Sequence, residues 1–127
     1  MKLDGSKVVA IDDAPSILNF LRLSLQYEGA DFYSAGTAAS GLALCNEVEP
    51  DLVILDLGLP DADGLDIVAD IKHCSAEVAP KVVILSVRKD KITRDQAFRN
   101  GADGYLSKPF VVEDLLDMVE NLNPATK

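Results

Sequence analysis

The stretch that decides the fold is LVILDLGLPDADGLDI, which runs from Leu52 to Ile67. Its first four residues are apolar, and an aspartate, Asp56, follows them directly. An uninterrupted apolar run of this length is typical of a strand that is buried on both faces, as in a parallel sheet covered by helices. The glycine, proline and aspartates that come next predict a turn, and a new apolar pattern predicts a helix from Gly64 onward. The stretch therefore predicts a strand, a turn and a helix, with a carboxylate at the end of the strand.

The same strand–helix unit recurs along the whole chain. The predicted strands are 7–13, 31–36, 51–56, 81–86 and 104–109, and the predicted helices are 14–30, 37–50, 64–74, 89–102 and 111–122. Pro15 suits a first helical turn, Gly29 a helix C-terminus, Thr37 an N-cap and Pro124 the stop after the last helix. Alternating strands and helices with right-handed crossovers predict an α/β fold with a doubly wound, open parallel sheet.

Length and composition limit the class of protein to which this chain can belong. A chain of 127 residues fits one domain, 1–127, with a core at about 7–122, and 48% hydrophobic residues favour a packed interior over disorder. The net charge of -9 argues against direct nucleic-acid binding by this chain, because a phosphate backbone requires a basic surface. The first residues lack the apolar core of a signal peptide, and no apolar run approaches about 18 residues. We therefore expect a cytoplasmic protein that does not enter a membrane.

The cysteines and the single histidine carry no functional prediction. Cys45 and Cys74 are too few for a disulfide framework and match no zinc-binding spacing. We expect them to be buried or half-buried apolar residues in a reducing compartment, and His73 to lie at the surface.

Polar side chains follow the predicted strands, where sites form in doubly wound sheets. The first strand delivers Asp12 and Asp13, the third Asp56, the fourth Ser86 and the fifth Lys108. Neighbouring carboxylates repel one another, and a hard dication with oxygen ligands removes that repulsion. We therefore expect Mg²⁺ at this edge of the sheet. Asp13 is also expected to cap the first helix.

An ammonium group beside a metal and a carboxylate is typical of phosphoryl transfer. Ser86 is a poor nucleophile without a histidine base, whereas Asp56 is already anionic and attacks directly. An aspartyl phosphate is short-lived and suits a transient signal or a reaction intermediate. In the turn, Gly58 is expected to allow close backbone approach and to offer its carbonyl to the metal. We interpret Asp61 and Asp63 as solvated turn residues.

These elements together resemble the receiver domains of bacterial two-component response regulators, from about Lys7 to Leu122. The resemblance is carried by the acid pair Asp12–Asp13, by DLGLPDADG from Asp56, by Ser86, and by GADGYLSKPF with Lys108. It implies a flavodoxin-like (βα)5 fold with strand order 2-1-3-4-5.

The resemblance also implies roles for the matching positions. Asp56 is implied to accept a phosphoryl group from the phosphohistidine of a sensor histidine kinase or phosphotransfer protein, and Lys108 to pair with the phosphoryl oxygens. Asp13, Asp56 and the carbonyl of Gly58 are implied to hold Mg²⁺ (or Mn²⁺), with Asp12 acting through a water. The domain is implied to catalyse only its own phosphorylation and autodephosphorylation, so we expect a signalling protein rather than an enzyme.

The implied switch runs from the phosphoryl group to the fourth helix, fifth strand and fifth helix. Ser86 is implied to bond the phosphoryl group, Tyr105 to change rotamer with it, and the Lys108–Pro109 bond to be cis. That face is implied to control a downstream output domain or protein, and in one subgroup to form a phosphorylation-dependent dimer through charged pairs.

Several positions depart from the family pattern. Val87 stands where a smaller residue is more frequent and is expected to narrow access to the phosphoryl group. Gly104 replaces an acid of the dimer-forming subgroup, and the last helix has Leu116 and Asp117 without the expected arginine. These departures weigh against that mode of dimerisation.

Two rival functions are compatible with parts of the pattern. A Mg²⁺-dependent phosphohydrolase with an aspartate nucleophile would carry a second aspartate two residues later, where this chain has Gly58. An interaction module that never binds phosphate would not need the complete set of acids and Lys108. A nucleotide-binding protein is disfavoured, because the chain has neither a glycine-rich phosphate loop nor a dinucleotide fingerprint.

Overall fold

The computed structural model describes residues 3–74 and 77–122. The strands are β1 (Lys7–Ile11), β2 (Asp31–Ala35), β3 (Leu52–Asp56), β4 (Lys81–Ser86) and β5 (Gly104–Ser107). The helices are α1 (Pro15–Tyr27), α2 (Ala38–Val48), α3 (Gly64–Lys72), α4 (Lys91–Arg99) and α5 (Val112–Leu122). Each predicted element is present, with ends that differ by a few residues.

The strands form one parallel sheet in the order β2-β1-β3-β4-β5. The predicted fold class and strand order are therefore confirmed. Strand β3 lies in the centre of the sheet and presents alternate residues to two separate cores. Val53 and Leu55 pack with residues of α2, α3 and α4, whereas Leu52 and Ile54 pack with residues of α1 and α5. This two-sided burial is why the opening stretch has no polar residue before Asp56.

The helix ends follow the local chemistry of the sequence. Pro15 occupies the first turn of α1, and Gly29 adopts φ +93 just beyond its end. Thr37 caps α2 in a reciprocal capping box with Ser40. The expectation that Asp13 caps α1 is wrong, because the N-cap residue is Ala14 and no side chain caps this end. Pro124 lies outside the described residues.

The cysteines lie where the composition suggested. Cys45 is fully buried in α2, Cys74 is half-buried after α3, and both are free thiols. Burial, together with the nearby Cys74, raises the pKa of Cys45 to about 12. His73 is exposed at the end of α3. Among the described residues, each helix is too short to cross a bilayer.

The raised pKa of Cys45 predicts that the two thiols differ in reactivity. The thiolate is the reacting species, and a pKa of about 12 in place of 9.0 lowers its population roughly a thousandfold near pH 8. We expect an aromatic disulfide reagent to modify one thiol, Cys74, in the folded protein and both thiols after unfolding. Cys74→Ser should abolish the native reaction and Cys45→Ser should leave it unchanged. Rapid modification of both thiols in the folded protein, seen as release of two equivalents of the aromatic thiol from the reagent, would contradict this prediction.

Candidate functional site

The candidate site lies at the carboxyl edge of the sheet, and the strand register brings its residues together. Ile11 of β1 pairs with Leu55, so Asp12 follows at the level of Asp56. Ser86 pairs with Ser107, so Lys108 follows just beyond the end of β4. Four strands therefore deliver their terminal polar groups to one edge, as the sequence predicted.

Three carboxylates form the centre of the site. Asp12, Asp13 and Asp56 each offer an oxygen, and these atoms all lie within 4.8 Å of one another. Asp12 is buried, Asp56 is half-buried and Asp13 is exposed. The cluster therefore opens to solvent on the Asp13 side and is closed beneath Asp12.

Lys108 bridges two of these acids. Its ammonium nitrogen lies 2.8 Å from Oδ2 of Asp12 and 3.5 Å from Oδ1 of Asp56. The lysine backbone is held as well, because its N–H donates to the Ser86 carbonyl at 2.8 Å. The Lys108–Pro109 bond is cis. The remaining oxygen of Asp12 accepts from the Ala14 N–H at 2.9 Å. Lys108 is thus positioned against Asp56 by the fold and not by chain proximity.

The charges of the site are only partly balanced. Burial raises the pKa of Asp56, the neighbouring Asp12 raises it further, and Lys108 and the Gly58 N–H lower it without full compensation. Three carboxylates against one ammonium leave two negative charges uncompensated when all are ionised. A hard dication prefers such a set of oxygen ligands and supplies the missing charge. The residues present therefore fit a divalent metal ion.

The two glycines of the turn differ in the room that the fold leaves around them. A Cβ at Gly58 would meet only Oδ2 of Asp56, at an ordinary contact distance of 3.9 Å, so no other protein atom crowds this position. That Gly58 lets the backbone approach a metal stays a prediction. Gly64 is the glycine that packing requires. A Cβ at that position would lie 2.7 Å from the Asp56 carbonyl oxygen and 2.8 Å from Cα of Leu57. The start of α3 therefore packs directly against the backbone that carries Asp56.

The two implied switch residues both contact Arg88. Ser86 is buried, and its Oγ accepts from the Arg88 N–H at 3.1 Å. Tyr105 is also buried, and its hydroxyl donates to the Arg88 carbonyl at 2.7 Å. The Arg88 guanidinium pairs with Asp63 at 3.1 Å. The loop after β4 thus links Ser86 to Tyr105 through one residue. Val87 in this loop is exposed.

Asp61 and Asp63 both lie in the turn, but their interpretation as merely solvated residues is incomplete. Asp61 is exposed, Asp63 is half-buried, and both accept specific hydrogen bonds. Asp61 accepts from the N–H groups of Ala38 and Ala39 at the start of α2, at 2.7 and 3.0 Å. Asp63 caps α3 by accepting from the Leu65 N–H at 3.0 Å, and it also pairs with Arg88. The position of Asp63 just before a helix is a local signal for a cap. The contact of Asp61 spans more than twenty residues, so no local pattern indicates it.

Comparison with known proteins agrees with this geometry. The family described as "response regulator receiver domain" matches residues 8–120. The transcriptional regulatory protein KdpE of Mycobacterium tuberculosis (strain CDC 1551 / Oshkosh) is 40% identical over 109 residues, which are 86% of this chain and 47% of that protein. The KDP operon transcriptional regulatory protein KdpE of Escherichia coli (strain K12) is 39% identical over 110 residues, which are 87% of this chain and 48% of that protein.

The fold has equally clear counterparts. The receiver domain of the Francisella response regulator 1452 superimposes with a TM-score of 0.85 at 27% identity, covering 97% of this chain and all of that one. The chain spans about half the length of the curated relatives it matches. From the sequence match, the shared fold and the acid cluster at the strand ends, we conclude that this chain belongs to the response regulator receiver domain family of two-component signal transduction.

Proposed function

We propose that this receiver accepts a phosphoryl group on Asp56 from a sensor histidine kinase or phosphotransfer protein, in a reaction that requires Mg²⁺ or Mn²⁺. The observation that carries the proposal is the position of Lys108, whose ammonium lies between Asp12 and Asp56 within a cluster of three carboxylates. A plain structural ion pair would need one carboxylate. The additional acids leave negative charge that a divalent cation would neutralise, which would allow an anionic phosphoryl group to approach Asp56.

In the proposed site, the metal ion and Lys108 each neutralise part of the negative charge of the phosphoryl group. Asp13, Asp56 and the carbonyl of Gly58 would hold the ion, with Asp12 acting through a water. When bound, the ion neutralises the oxygens of the incoming phosphoryl group. Lys108 would pair with a second phosphoryl oxygen from the opposite side, since its ammonium already lies 3.5 Å from Asp56. Both contacts favour charge that develops during transfer.

The proposed step forms one bond and breaks another. An oxygen of Asp56 attacks the phosphorus, the P–N bond of the phosphohistidine breaks, and its electron pair returns to the imidazole nitrogen. A water molecule later attacks the same phosphorus, and the bond between phosphorus and the Asp56 oxygen breaks. Inorganic phosphate leaves and the carboxylate is restored, which gives autodephosphorylation. No other substrate is involved, so the chain acts as a phosphoacceptor and signalling protein.

The proposed output uses the contacts around Arg88. The Oγ of Ser86 would turn from the Arg88 N–H toward a phosphoryl oxygen, and the Tyr105 contact with the Arg88 carbonyl would change with it. The affected surface is the face formed by α4, β5 and α5, which would control an output domain or protein in the cytoplasm. A net charge of -9 supports an output other than direct nucleic-acid binding by this chain.

A phosphorylation-dependent dimer on this face would need contacts other than acid–arginine pairs. Gly104 is buried in β5, and a side chain there would lie 2.7 Å from Sδ of Met118 in α5. The space that an acid would occupy is therefore filled by Met118.

The proposal predicts a metal-dependent adduct at a single residue. Incubation with Mg²⁺ and acetyl phosphate should add the mass of one phosphoryl group to the intact protein, and chelation of the metal should prevent it. Asp56→Asn should abolish the adduct, because an amide is not a nucleophile here. Asp70→Asn, which changes an exposed acid on α3, is the matched control and should behave as the wild type. Failure of the wild type to form an adduct, or an adduct on Asp56→Asn, would overturn the proposal.

A further inference from the structure

Asp61 joins the turn after β3 to the first turn of α2. One carboxylate oxygen accepts from the Ala38 N–H at 2.7 Å, and the other accepts from the Ala39 N–H at 3.0 Å. The next donor, the Ser40 N–H, bonds Oγ1 of Thr37 at 3.1 Å. The N–H groups of this first helical turn therefore donate to two different side chains. Thr37 belongs to α2 itself, whereas Asp61 comes from the loop that starts at the candidate phosphoacceptor.

Asp61 adds an attachment in the middle of the loop between β3 and α3, whose Gly58 and Asp63 also form an isolated bridge. Its apolar residues Leu57 and Leu59 are buried, and its end is fixed where the Gly64 N–H donates to the Leu57 carbonyl at 2.8 Å. Between them, Gly58, Pro60 and Asp61 are exposed. The two charge-assisted hydrogen bonds that Asp61 accepts from α2 hold this exposed tip against the helix.

Asp61 is not itself placed to bind a cation. Both of its oxygens already accept from N–H groups, and these bonds lower its pKa, so the group is an ionised acceptor. The carboxylates that come together at the site are Asp12, Asp13 and Asp56 among the residues that the structure describes. Any effect of Asp61 on a bound cation would therefore act through the loop.

We propose that Asp61 is a positioning residue for the divalent cation: it ties the β3–α3 loop to α2 and so holds Gly58 in place beside Asp56. This inference rests on the proposed function, because Gly58 is the backbone ligand proposed there. Without the attachment, the loop samples arrangements in which Gly58 is displaced, and the apparent affinity falls in proportion to the fraction that remains competent. A competent fraction of about 10 to 30% corresponds to a dissociation constant roughly three- to tenfold higher.

The test compares Mg²⁺ affinity in variants that release the loop with variants that do not. Asp61→Ala removes both hydrogen bonds, and Asp61→Asn retains one acceptor oxygen for the case in which the alanine variant folds poorly. Thr37→Ala removes a cap from the same helical turn but leaves the loop attached. Asp70→Ala removes an exposed negative charge from α3 and changes neither the Asp61 contact nor the Thr37 cap. Mg²⁺ titration followed by amide chemical shifts gives the dissociation constant, and amide exchange at Ala38, Ala39 and Gly58 reports the attachment without metal.

The expected pattern is specific to Asp61. Asp61→Ala should raise the Mg²⁺ dissociation constant about three- to tenfold and speed exchange at the three amides, with Asp61→Asn intermediate. At saturating Mg²⁺ the rate of adduct formation with acetyl phosphate should remain near that of the wild type. Thr37→Ala and Asp70→Ala should keep the wild-type affinity.

Two results would overturn the inference, and they differ from failure of the proposed function. An unchanged dissociation constant in both Asp61 variants would remove the positioning role while the wild type still binds Mg²⁺. An equal loss of affinity in Thr37→Ala would assign the effect to stability of α2 and not to the loop. If the wild type binds no Mg²⁺ and forms no adduct, the proposed function fails and the inference fails with it.

Discussion

Lys108→Met should slow phosphorylation of Asp56 by acetyl phosphate about 10²- to 10³-fold at saturating Mg²⁺, which is the usual cost of losing one preorganised group that stabilises developing charge. The lysine ammonium lies 3.5 Å from Oδ1 of Asp56 and is mostly shielded from solvent, so water replaces it poorly. Methionine keeps much of the side-chain volume but offers no charge. The rate constant for adduct formation, followed by intact mass after rapid quenching, measures the effect.

Two controls separate the charge of Lys108 from general effects. Lys91→Met removes a lysine with 85% side-chain exposure at the start of α4 and should leave the rate unchanged. Lys108→Arg keeps the charge but replaces a compact ammonium with a larger planar group, so we expect only partial activity. Circular dichroism must show that Lys108→Met is folded, because it leaves the buried Asp12 without its ammonium partner. A folded Lys108→Met variant within about threefold of the wild-type rate would contradict the role of this residue.

Gly64→Ala should lower the free energy of unfolding by about 2 to 4 kcal/mol. The added Cβ would overlap the Asp56 carbonyl oxygen at 2.7 Å and Cα of Leu57 at 2.8 Å, and both are backbone atoms that cannot rotate away. Alanine is the better helix former by about 1 kcal/mol, so the steric cost must exceed that gain. Urea unfolding monitored by circular dichroism measures the difference.

Gly58→Ala is the matched control for stability. It adds the same methyl group two residues after the end of β3, but the nearest atom would be Oδ2 of Asp56 at 3.9 Å. Its unfolding free energy should stay within about 0.5 kcal/mol of the wild type. Equal destabilisation by the two substitutions would show that the close approach at Gly64 is not the cause.

The fold could be predicted from the sequence because its strongest signals are local. An apolar run such as Leu52–Leu55, followed at once by turn residues, favours a strand covered on both faces, and helices between such strands favour parallel pairing. Helix ends were also predictable where the capping residue lies next to the helix in the sequence, as Thr37 does for α2. The cap of α1 was assigned wrongly because Asp12 and Asp13 are equally plausible by sequence. The fold directs Asp12 to the Ala14 N–H and to Lys108 instead.

The candidate site was predictable to the extent that strand ends converge. The acids and Lys108 each follow a strand, so the topology alone brings them to one edge. Contacts between loops were not predictable, because Asp61 and α2, like Arg88 and Asp63, are far apart in the sequence and are neighbours only in the folded structure. The same holds for the glycines. Gly58 and Gly64 are both turn glycines in the sequence, and only packing distinguishes the one that has no room for a side chain.

The most direct test of the central claim is to locate the phosphoryl group. After reaction with acetyl phosphate and Mg²⁺, borohydride reduces an acyl phosphate to the corresponding alcohol, so a phosphorylated aspartate becomes homoserine and remains marked during peptide sequencing by mass spectrometry. We predict homoserine at position 56 only, with Asp12 and Asp13 unmodified in the same digest. Homoserine at position 12 or 13, or none at 56 in a sample that carries the adduct, would contradict the assignment of Asp56 as the phosphoacceptor.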